Sequence, residues 1–206
     1  MKRNLSYMFA VIVPAMLCSP SLFAKPPLTD KINAQVQPLV DGDAIVGCVV
    51  GVIKDGERSY HTYGETKLGS GQSPDKHTLY EIGSISKVFT TTLLADAVLR
   101  GELKLEQELS TLLPPGIESP TLKEQAITLQ HLATHSSGLP RMPGNFAPRD
   151  PHDPYADYTG ELALAFLGDA KLASTPGEKS LYSNYGMGLL GYLLAEHAQT
   201  TYPKLL

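Results

Sequence analysis

The hydrophobic and polar positions of the chain predict a β-hairpin with helices on both sides of it. Residues 45–66, IVGCVVGVIKDGERSYHTYGET, contain two strand-like runs joined by Asp55-Gly56, and this dipeptide is a strong hairpin signal. A short helix is predicted before the hairpin, over residues 28–39, and a loop rich in Gly, Ser and Pro follows it over residues 67–76.

Apolar residues recur at helical spacing in the rest of the chain. Residues 80–103, YEIGSISKVFTTTLLADAVLRGEL, pass from a glycine and two serines into an apolar helical pattern. This pattern predicts a helix over residues 84–100 that Gly101 ends. Residues 141–158 are rich in Pro and Asp and are predicted to form a surface excursion. Further helical segments are predicted within residues 103–116, 127–140, 161–167 and 185–197.

These elements predict an incomplete sheet. A two-stranded hairpin with an apolar face is not stable alone and needs more strands or a packed helix. No closing strand follows the last predicted helix before Leu206. We therefore expect an α/β (α+β) fold, in which a helical subdomain accompanies an antiparallel sheet whose C-terminal strands are missing.

The first residues have the pattern of a secretory signal. Lys2 and Arg3 precede an apolar run over residues 8–17, and the small residues of the stretch SPSLFA, residues 19–24, suit cleavage after Ala24, although Leu22 is a poor match. This pattern predicts a signal peptide over residues 1–24, a partial domain over residues 25–206 and a periplasmic location. The run is too short for a stable membrane span. Cys18 leaves a lipoprotein as the alternative, which Leu17 fits badly.

Composition and charge indicate a globular protein without a nucleic-acid partner. The 206 residues are 42% hydrophobic and 18% charged, which allows a buried core in one or two domains. Without residues 1–24, 15 basic residues stand against 21 acidic ones, a net charge of −6 that argues against nucleic-acid binding. Cys48 is then the one remaining cysteine, so no internal disulfide can form. We expect a monomer.

Ser84 and Lys87 are candidates for a nucleophile and its partner. Residues three apart on a helix share a face, with Cβ atoms about 5–6 Å apart. The amides and dipole of the helix N-terminus favour developing negative charge, and a neighbouring lysine can stabilise an alkoxide or accept its proton. The alternative is an ordinary N-cap serine. The same Ser-x-x-Lys spacing also occurs in a loop, from Ser73 to Lys76.

Several motifs in order resemble one protein family. The sequence YEIGSISK, the helix after it, GELKL, ITLQHLATHSSGLP and YSN resemble the serine β-lactamase and penicillin-binding protein superfamily, above all its class C branch and related D-alanyl-D-alanine carboxypeptidases and esterases. The resemblance covers nearly all of residues 25–206. It implies a β-lactamase/transpeptidase-like fold.

The resemblance also implies a role for each matching residue. Ser84 would be the nucleophile that forms an acyl-enzyme, and its amide would supply half of the oxyanion hole. Lys87 would support it as proton acceptor or cation. Tyr182 would be the general base for acylation and would activate water for deacylation, which requires cations that lower its pKa or share its proton. Asn184 would bind the substrate's side-chain amide. The alternative for Tyr182 and Asn184 is a capping turn before the last predicted helix.

The chain departs from the family pattern at two places. The substrate-binding glutamine of class C enzymes would lie just after GLP, where this chain has Arg141 and Met142. The Lys-Thr-Gly motif, whose strand supplies the second oxyanion amide, does not follow Asn184. We therefore expect a truncated chain that is impaired as an enzyme and that, made alone, is poorly folded and does not acylate.

Other chemistries have less support. His131 and His135 stand four apart, as zinc ligands on a helix do, but the metalloprotease pattern needs a glutamate where Leu132 stands. We expect no metal and no cofactor. The main functional hypothesis is hydrolysis of β-lactam amide bonds through an acyl-enzyme on Ser84. The alternatives are a D-alanyl-D-alanine carboxypeptidase or endopeptidase, an esterase, and a non-catalytic penicillin-binding module.

Overall fold

The computed structural model describes residues 27–206, which form two compact units that divide after Tyr80. The predicted signal peptide lies outside the described residues. The helices and strands are, in chain order, α1 (Leu28–Asp41), β1 (Gly47–Lys54), β2 (Glu57–Gly64), a 3-10 turn (Gly83–Ile85), α2 (Ser86–Leu99), a 3-10 turn (Leu109–Leu112), α3 (Leu129–Ala133), α4 (Gly160–Asp169), α5 (Asn184–His197) and α6 (Tyr202–Leu205).

The first unit contains the predicted hairpin. Strands β1 and β2 pair antiparallel, and their register runs from Gly47 opposite Gly64 to Lys54 opposite Glu57. Asp55 and Gly56 connect them with φ angles of 52° and 82°. Two consecutive positive φ angles are what a type I′ hairpin turn needs, so the Asp-Gly signal is confirmed together with its physical reason. Helix α1 is tied to β2 by the hydroxyl of Tyr63, which donates to Oδ1 of Asn33 at 2.6 Å.

The second unit is helical and is built around α5. This helix is apolar on nearly all sides and buries nine of its residues, as expected for a helix at the centre of a core. Helices α2, α3, α4 and α6 contact it. Side chains of this core that are almost completely buried are Leu94, Leu109, Ile127, Leu129, Leu132, Leu139, Leu167, Leu189, Leu190 and Leu193. Because α5 is held from several sides, the residues at its N-terminus have a fixed position in this unit.

Helix α2 is less buried than its apolar sequence predicts. Thr90, Leu94 and Ala97 are buried on the face toward α5, and the hydroxyl of Thr90 is 2.6 Å from that of Tyr202 in α6. Val88 and Leu99, in contrast, remain 62% and 87% exposed. Within residues 27–206 the helix therefore has one covered face and one apolar face in solvent.

The described residues confirm the expected fold class of helices plus a small antiparallel sheet. The sheet has two strands in this part of the chain. The predicted helices are present with shifted ends, whereas α6 was not predicted, and residues 141–158 contain neither a helix nor a strand. Among residues 27–206, no helix has the length and hydropathy needed to cross a membrane.

Candidate active site

The hydroxyl of Ser84 does not cap α2. Ser84 lies in the 3-10 turn Gly83–Ile85, and the N-cap position of α2 is occupied by Ile85, without a side-chain capping bond. The neighbouring Ser86 bonds locally instead, donating through Oγ to the carbonyl oxygen of Gly83 at 2.6 Å. Ser84 is exposed at the surface. The ordinary capping alternative therefore does not describe this serine, and its Oγ is available for other contacts.

Two side chains contact Ser84 Oγ, one from a residue close in sequence and one from a distant segment. Lys87, one turn further along, donates to it through Nζ at 3.2 Å, as the i, i+3 spacing predicts. The hydroxyl of Tyr182, which comes from a segment 98 residues away, lies 2.7 Å from the same oxygen, and either hydroxyl can donate in this bond. The serine oxygen therefore has an ammonium group and a phenol within hydrogen-bond distance, which is a geometry for moving its proton.

Tyr182 is placed by the N-terminus of α5, and the capping role there belongs to Ser183. Ser183 is buried; its Oγ accepts from the amide of Gly186 at 2.8 Å and donates to the carbonyl of Pro140 at 2.7 Å. The predicted capping turn is thus present. It uses Ser183, and the hydroxyl of Tyr182 remains directed to Ser84.

Cations surround the ring of Tyr182. Nζ of Lys87 and Cζ of Arg141 each lie 5.0 Å from the ring centroid. The pKa of the Tyr182 phenol is lowered, first by its hydrogen bond with Lys87, then by the one with Ser84, and further by the charges of Lys87 and Arg141. A phenol with a lowered pKa gives up its proton more readily and is therefore a more useful general base near neutral pH.

Asn184 lies at the edge of this group of residues. The backbone N–H groups of Asn184 and Tyr185 donate to the carbonyl oxygen of Arg141, at 3.0 and 3.2 Å. The side-chain Nδ2 of Asn184 faces the sulfur of Met142 at 3.6 Å, and a thioether is a weak acceptor. Asn184 therefore borders the Arg141-Met142 segment, where the sequence departs from the class C pattern.

Two contacts of Tyr182 were not predicted as parts of the site. The sequence singles out Arg141 only as a departure from the class C pattern and His135 only as a possible zinc ligand. The ring of His135 lies against that of Tyr182, with centroids 4.5 Å apart. Both residues flank the GLP motif, but their contact with Tyr182 depends on how distant segments pack. The one available signal was their position beside a motif that already pointed to the site.

The two histidines do not form a zinc site. His131 belongs to the capping box of α3, where its Nδ1 accepts from the amide of Thr128 at 3.2 Å. Nδ1 of His135 is occupied as well, because the amide of Ser183 donates to it. Over residues 27–206, no three His, Cys, Asp or Glu side chains cluster so that they could hold a metal ion.

Comparison with known proteins identifies relatives over nearly the whole chain. The Beta-lactamase family model matches residues 32–206. The D-alanyl-D-alanine-carboxypeptidase/endopeptidase AmpH of Escherichia coli K12 is 33% identical over 216 residues, which cover 100% of this chain and 54% of AmpH. A beta-lactamase of Pseudomonas fluorescens is 35% identical over 175 residues, which cover 85% of this chain and 46% of that protein.

Solved structures agree with these relatives. A beta-lactamase/D-alanine carboxypeptidase from Yersinia pestis, in complex with citrate, superposes with a TM-score of 0.77 at 31% identity, covering 87% of this chain and 51% of the other. A class C beta-lactamase superposes with a TM-score of 0.67 at 30% identity, covering 84% and 45%. The chain spans about half the length of the curated relatives it matches.

The family model covers most of the chain, and the solved relatives share its fold. The β-lactamase/transpeptidase-like fold predicted from the motifs is therefore confirmed. The chain belongs to the beta-lactamase family of serine hydrolases.

Proposed function

We propose that this chain carries the nucleophile half of an acyl-enzyme hydrolase, with Ser84 as nucleophile, Lys87 as supporting cation and Tyr182 as general base. The observation that carries the proposal is that both Lys87 Nζ and the Tyr182 hydroxyl lie within hydrogen-bond distance of Ser84 Oγ. Asn184, which borders the site, is proposed to orient the substrate's amide. The proposal treats the site as metal-independent.

The reaction uses these groups in four proton transfers, two in acylation and two in deacylation. Tyr182 takes the proton of Ser84 as Oγ attacks the carbonyl carbon, and it then gives a proton to the leaving nitrogen as the C–N bond breaks. Water next attacks the acyl ester, with Tyr182 as the base, and Ser84 leaves as an alcohol. The ammonium of Lys87 stabilises the developing alkoxide and holds the pKa of the phenol down.

Peptides that end in D-alanyl-D-alanine are the substrate class we favour. The AmpH similarity spans all of this chain, and the Yersinia carboxypeptidase superposes with a higher TM-score than the class C enzyme does. Arg141 and Met142 replace the class C glutamine, which also points away from a typical cephalosporinase. Hydrolysis of β-lactams is the second candidate, because beta-lactamases are similar to this chain at comparable identity.

Two properties of the whole protein follow as further parts of the proposal. A periplasmic location is proposed from the signal-like N-terminus, and fractionation of expressing cells with a reporter fusion would test it.

Slow turnover by the 206 residues alone is proposed because no Lys-Thr-Gly follows Asn184. Removal of one oxyanion donor costs about 10²–10³ in turnover.

The test is labelling of the protein by fluorescent penicillin. The lack of Lys-Thr-Gly alone predicts no acylation, but because Lys87 and Tyr182 both lie within hydrogen-bond distance of Ser84 Oγ, we propose slow, stoichiometric labelling that Ser84→Ala abolishes. Ser73→Ala is the matched control, because Ser73 begins the same Ser-x-x-Lys spacing in a loop. Persistent labelling with release of D-alanine from a peptide would support the carboxypeptidase, whereas fast nitrocefin turnover would support the lactamase. Equal hydrolysis by the native and Ser84→Ala proteins would overturn the proposal and leave a binding module.

A further inference from the structure

His135 contacts three consecutive residues around Tyr182. Its carbonyl oxygen accepts from the amide of Leu181 at 2.7 Å, and its Nδ1 accepts from the amide of Ser183 at 3.2 Å. Its ring lies against the ring of Tyr182, with a 4.5 Å centroid separation and a 34° angle between the planes. His135 therefore holds Tyr182 in three ways: it bonds the residue before it and the residue after it, and it packs against its ring.

The backbone at His135 is one at which glycine is usual. Thr134 is the C-cap of α3, and His135 follows with a φ of 58°. The amide of His135 donates to the carbonyl of Leu132 and that of Ser136 to the carbonyl of His131, which is the Schellman pattern at a helix end. Non-glycine residues are uncommon in this left-handed region, although histidine is among the more tolerated. A histidine here brings a side chain that the turn itself does not need.

The hydrogen bond from Ser183 fixes the state of the imidazole. Because Nδ1 accepts, it carries no proton, so the neutral ring has its proton on Nε2. If the ring were protonated, its Nδ1–H would face the amide N–H of Ser183, and this hydrogen bond would be lost. Burial and the charge of Lys87 both lower the pKa of His135, which favours the neutral form. The imidazole lies against the ring of Tyr182, and the guanidinium of Arg141 lies 5.0 Å from the centroid of that same ring.

We infer that His135 is a positioning residue for the proposed acylation: as a neutral imidazole it holds the Tyr182 hydroxyl on Ser84, and its protonation releases that hold at acidic pH. The inference rests on the proposed function for its effect on rate, but the geometry can be measured without it. Its distinguishing feature is that the histidine acts on Tyr182 and does not contact the serine oxygen.

Two variants separate positioning from stability. His135→Gly keeps the left-handed turn but removes the ring and the acceptor, so we expect a fold at least as stable and acylation slower by about 10–100-fold. His135→Asn offers an acceptor oxygen near the position of Nδ1 and tolerates positive φ, so it should recover part of that rate. His131→Asn is the matched control, because His131 also accepts a backbone amide through Nδ1 but lies in the cap of α3.

The rate is measured as single-turnover labelling by fluorescent penicillin between about pH 5 and pH 8. The rate should fall toward acidic pH in both proteins as Tyr182 takes up its proton. In the native protein the protonation of His135 should add a further loss, which His135→Asn should lack because asparagine does not titrate. Thermal melts accompany each variant. Equal rates for His135→Gly and the native protein, or an unchanged acid limb in His135→Asn, would overturn the inference.

A second measurement does not depend on activity or on the folding of variants. In native protein with ¹⁵N-histidine and ¹³C-tyrosine, the ring nitrogens of His135 should have the shifts of the Nε2–H tautomer, and the Tyr182 ring signal should move with the same midpoint as His135. A neutral ring with its proton on Nδ1 would contradict the inferred positioning of Tyr182 by His135. So would a Tyr182 signal that does not change as His135 titrates. If penicillin labels no serine, the proposed function is wrong, and these spectra still decide the inference.

Discussion

At the scale of single residues, the chemistry proposed for this site depends on the charges around the phenol of Tyr182. The pKa of Tyr182 is lowered by Lys87 and Ser84 through hydrogen bonds and by Arg141 through its charge. A base acts in its deprotonated or proton-sharing form, so the rate should rise with pH through this pKa. Any change that raises the pKa of Tyr182 therefore moves the rising limb to higher pH and slows the reaction at neutral pH.

Arg141→Gln should move the rising limb of the acylation rate to higher pH. Loss of the guanidinium raises the pKa of Tyr182, and because Arg141 is exposed and screened by solvent, we expect roughly a two- to fivefold slower acylation at neutral pH. The measurement is the labelling rate against pH at low and high salt, and the difference from native protein should shrink at high salt. Arg149→Gln is the control, since Arg149 pairs with Asp157 away from the site. An effect of equal size in both variants would contradict a specific role for Arg141.

Lys87→Met tests the larger influence on the same phenol. This change removes both the donor to Ser84 and the first cause of the lowered pKa of Tyr182, so the loss should exceed that of Arg141→Gln by more than tenfold. The comparison uses labelling rates of both variants across the same pH range. Lys76→Met, in the loop with the matching Ser-x-x-Lys spacing, should label like the native protein. A Lys87→Met protein that labels at the native rate would remove lysine from the proposed mechanism.

At the scale of elements, the N-terminus of α5 combines capping with positioning. Ser183 caps this helix and also bonds the carbonyl of Pro140, and Tyr182 immediately precedes it. Ser183→Ala should therefore lower the free energy of unfolding by about 1–2 kcal/mol and also slow acylation per folded molecule. Thr159→Ala is the matched control, because Thr159 caps α4 and bonds outside the site. Denaturant melts and labelling rates on both proteins would test this; equal loss of rate would refute it.

The elements also explain which parts of the site could be predicted from the sequence. The hairpin turn at Asp55-Gly56 and the contact of Ser84 with Lys87 are local, so spacing alone predicts them. Tyr182 reaches Ser84 from 98 residues away, and only the family motif pointed to it. His135 and its neighbour in the site, Arg141, were missed because their contacts require α3 and α5 to pack first. Helix α6 was missed because Tyr202–Leu205 is too short for a periodic pattern.

At the scale of the whole molecule, the second unit by itself leaves apolar residues of α2 exposed on one face. Val88 is 62% exposed and Phe89 48% exposed, and the hairpin has two strands within the described residues. The relatives of known sequence are about twice as long as this chain. We predict that the part of these relatives beyond the matched residues can cover this face of α2, and the family resemblance implies that it also carries Lys-Thr-Gly.

The exposed face of α2 and the lack of Lys-Thr-Gly between Asn184 and Leu206 together make one prediction. Fusion of the remaining half of Escherichia coli AmpH after Leu206 should raise the acylation rate by about 10²–10³, the usual effect of one oxyanion donor, and reduce binding of an apolar dye. Phe89→Ser in the unextended chain should reduce dye binding without raising the rate, because it removes apolar surface and adds no donor. Ser84→Ala in the fusion should abolish labelling and keep dye binding low. A fusion that covers the dye site but acylates no faster would separate burial of α2 from assembly of the catalytic site.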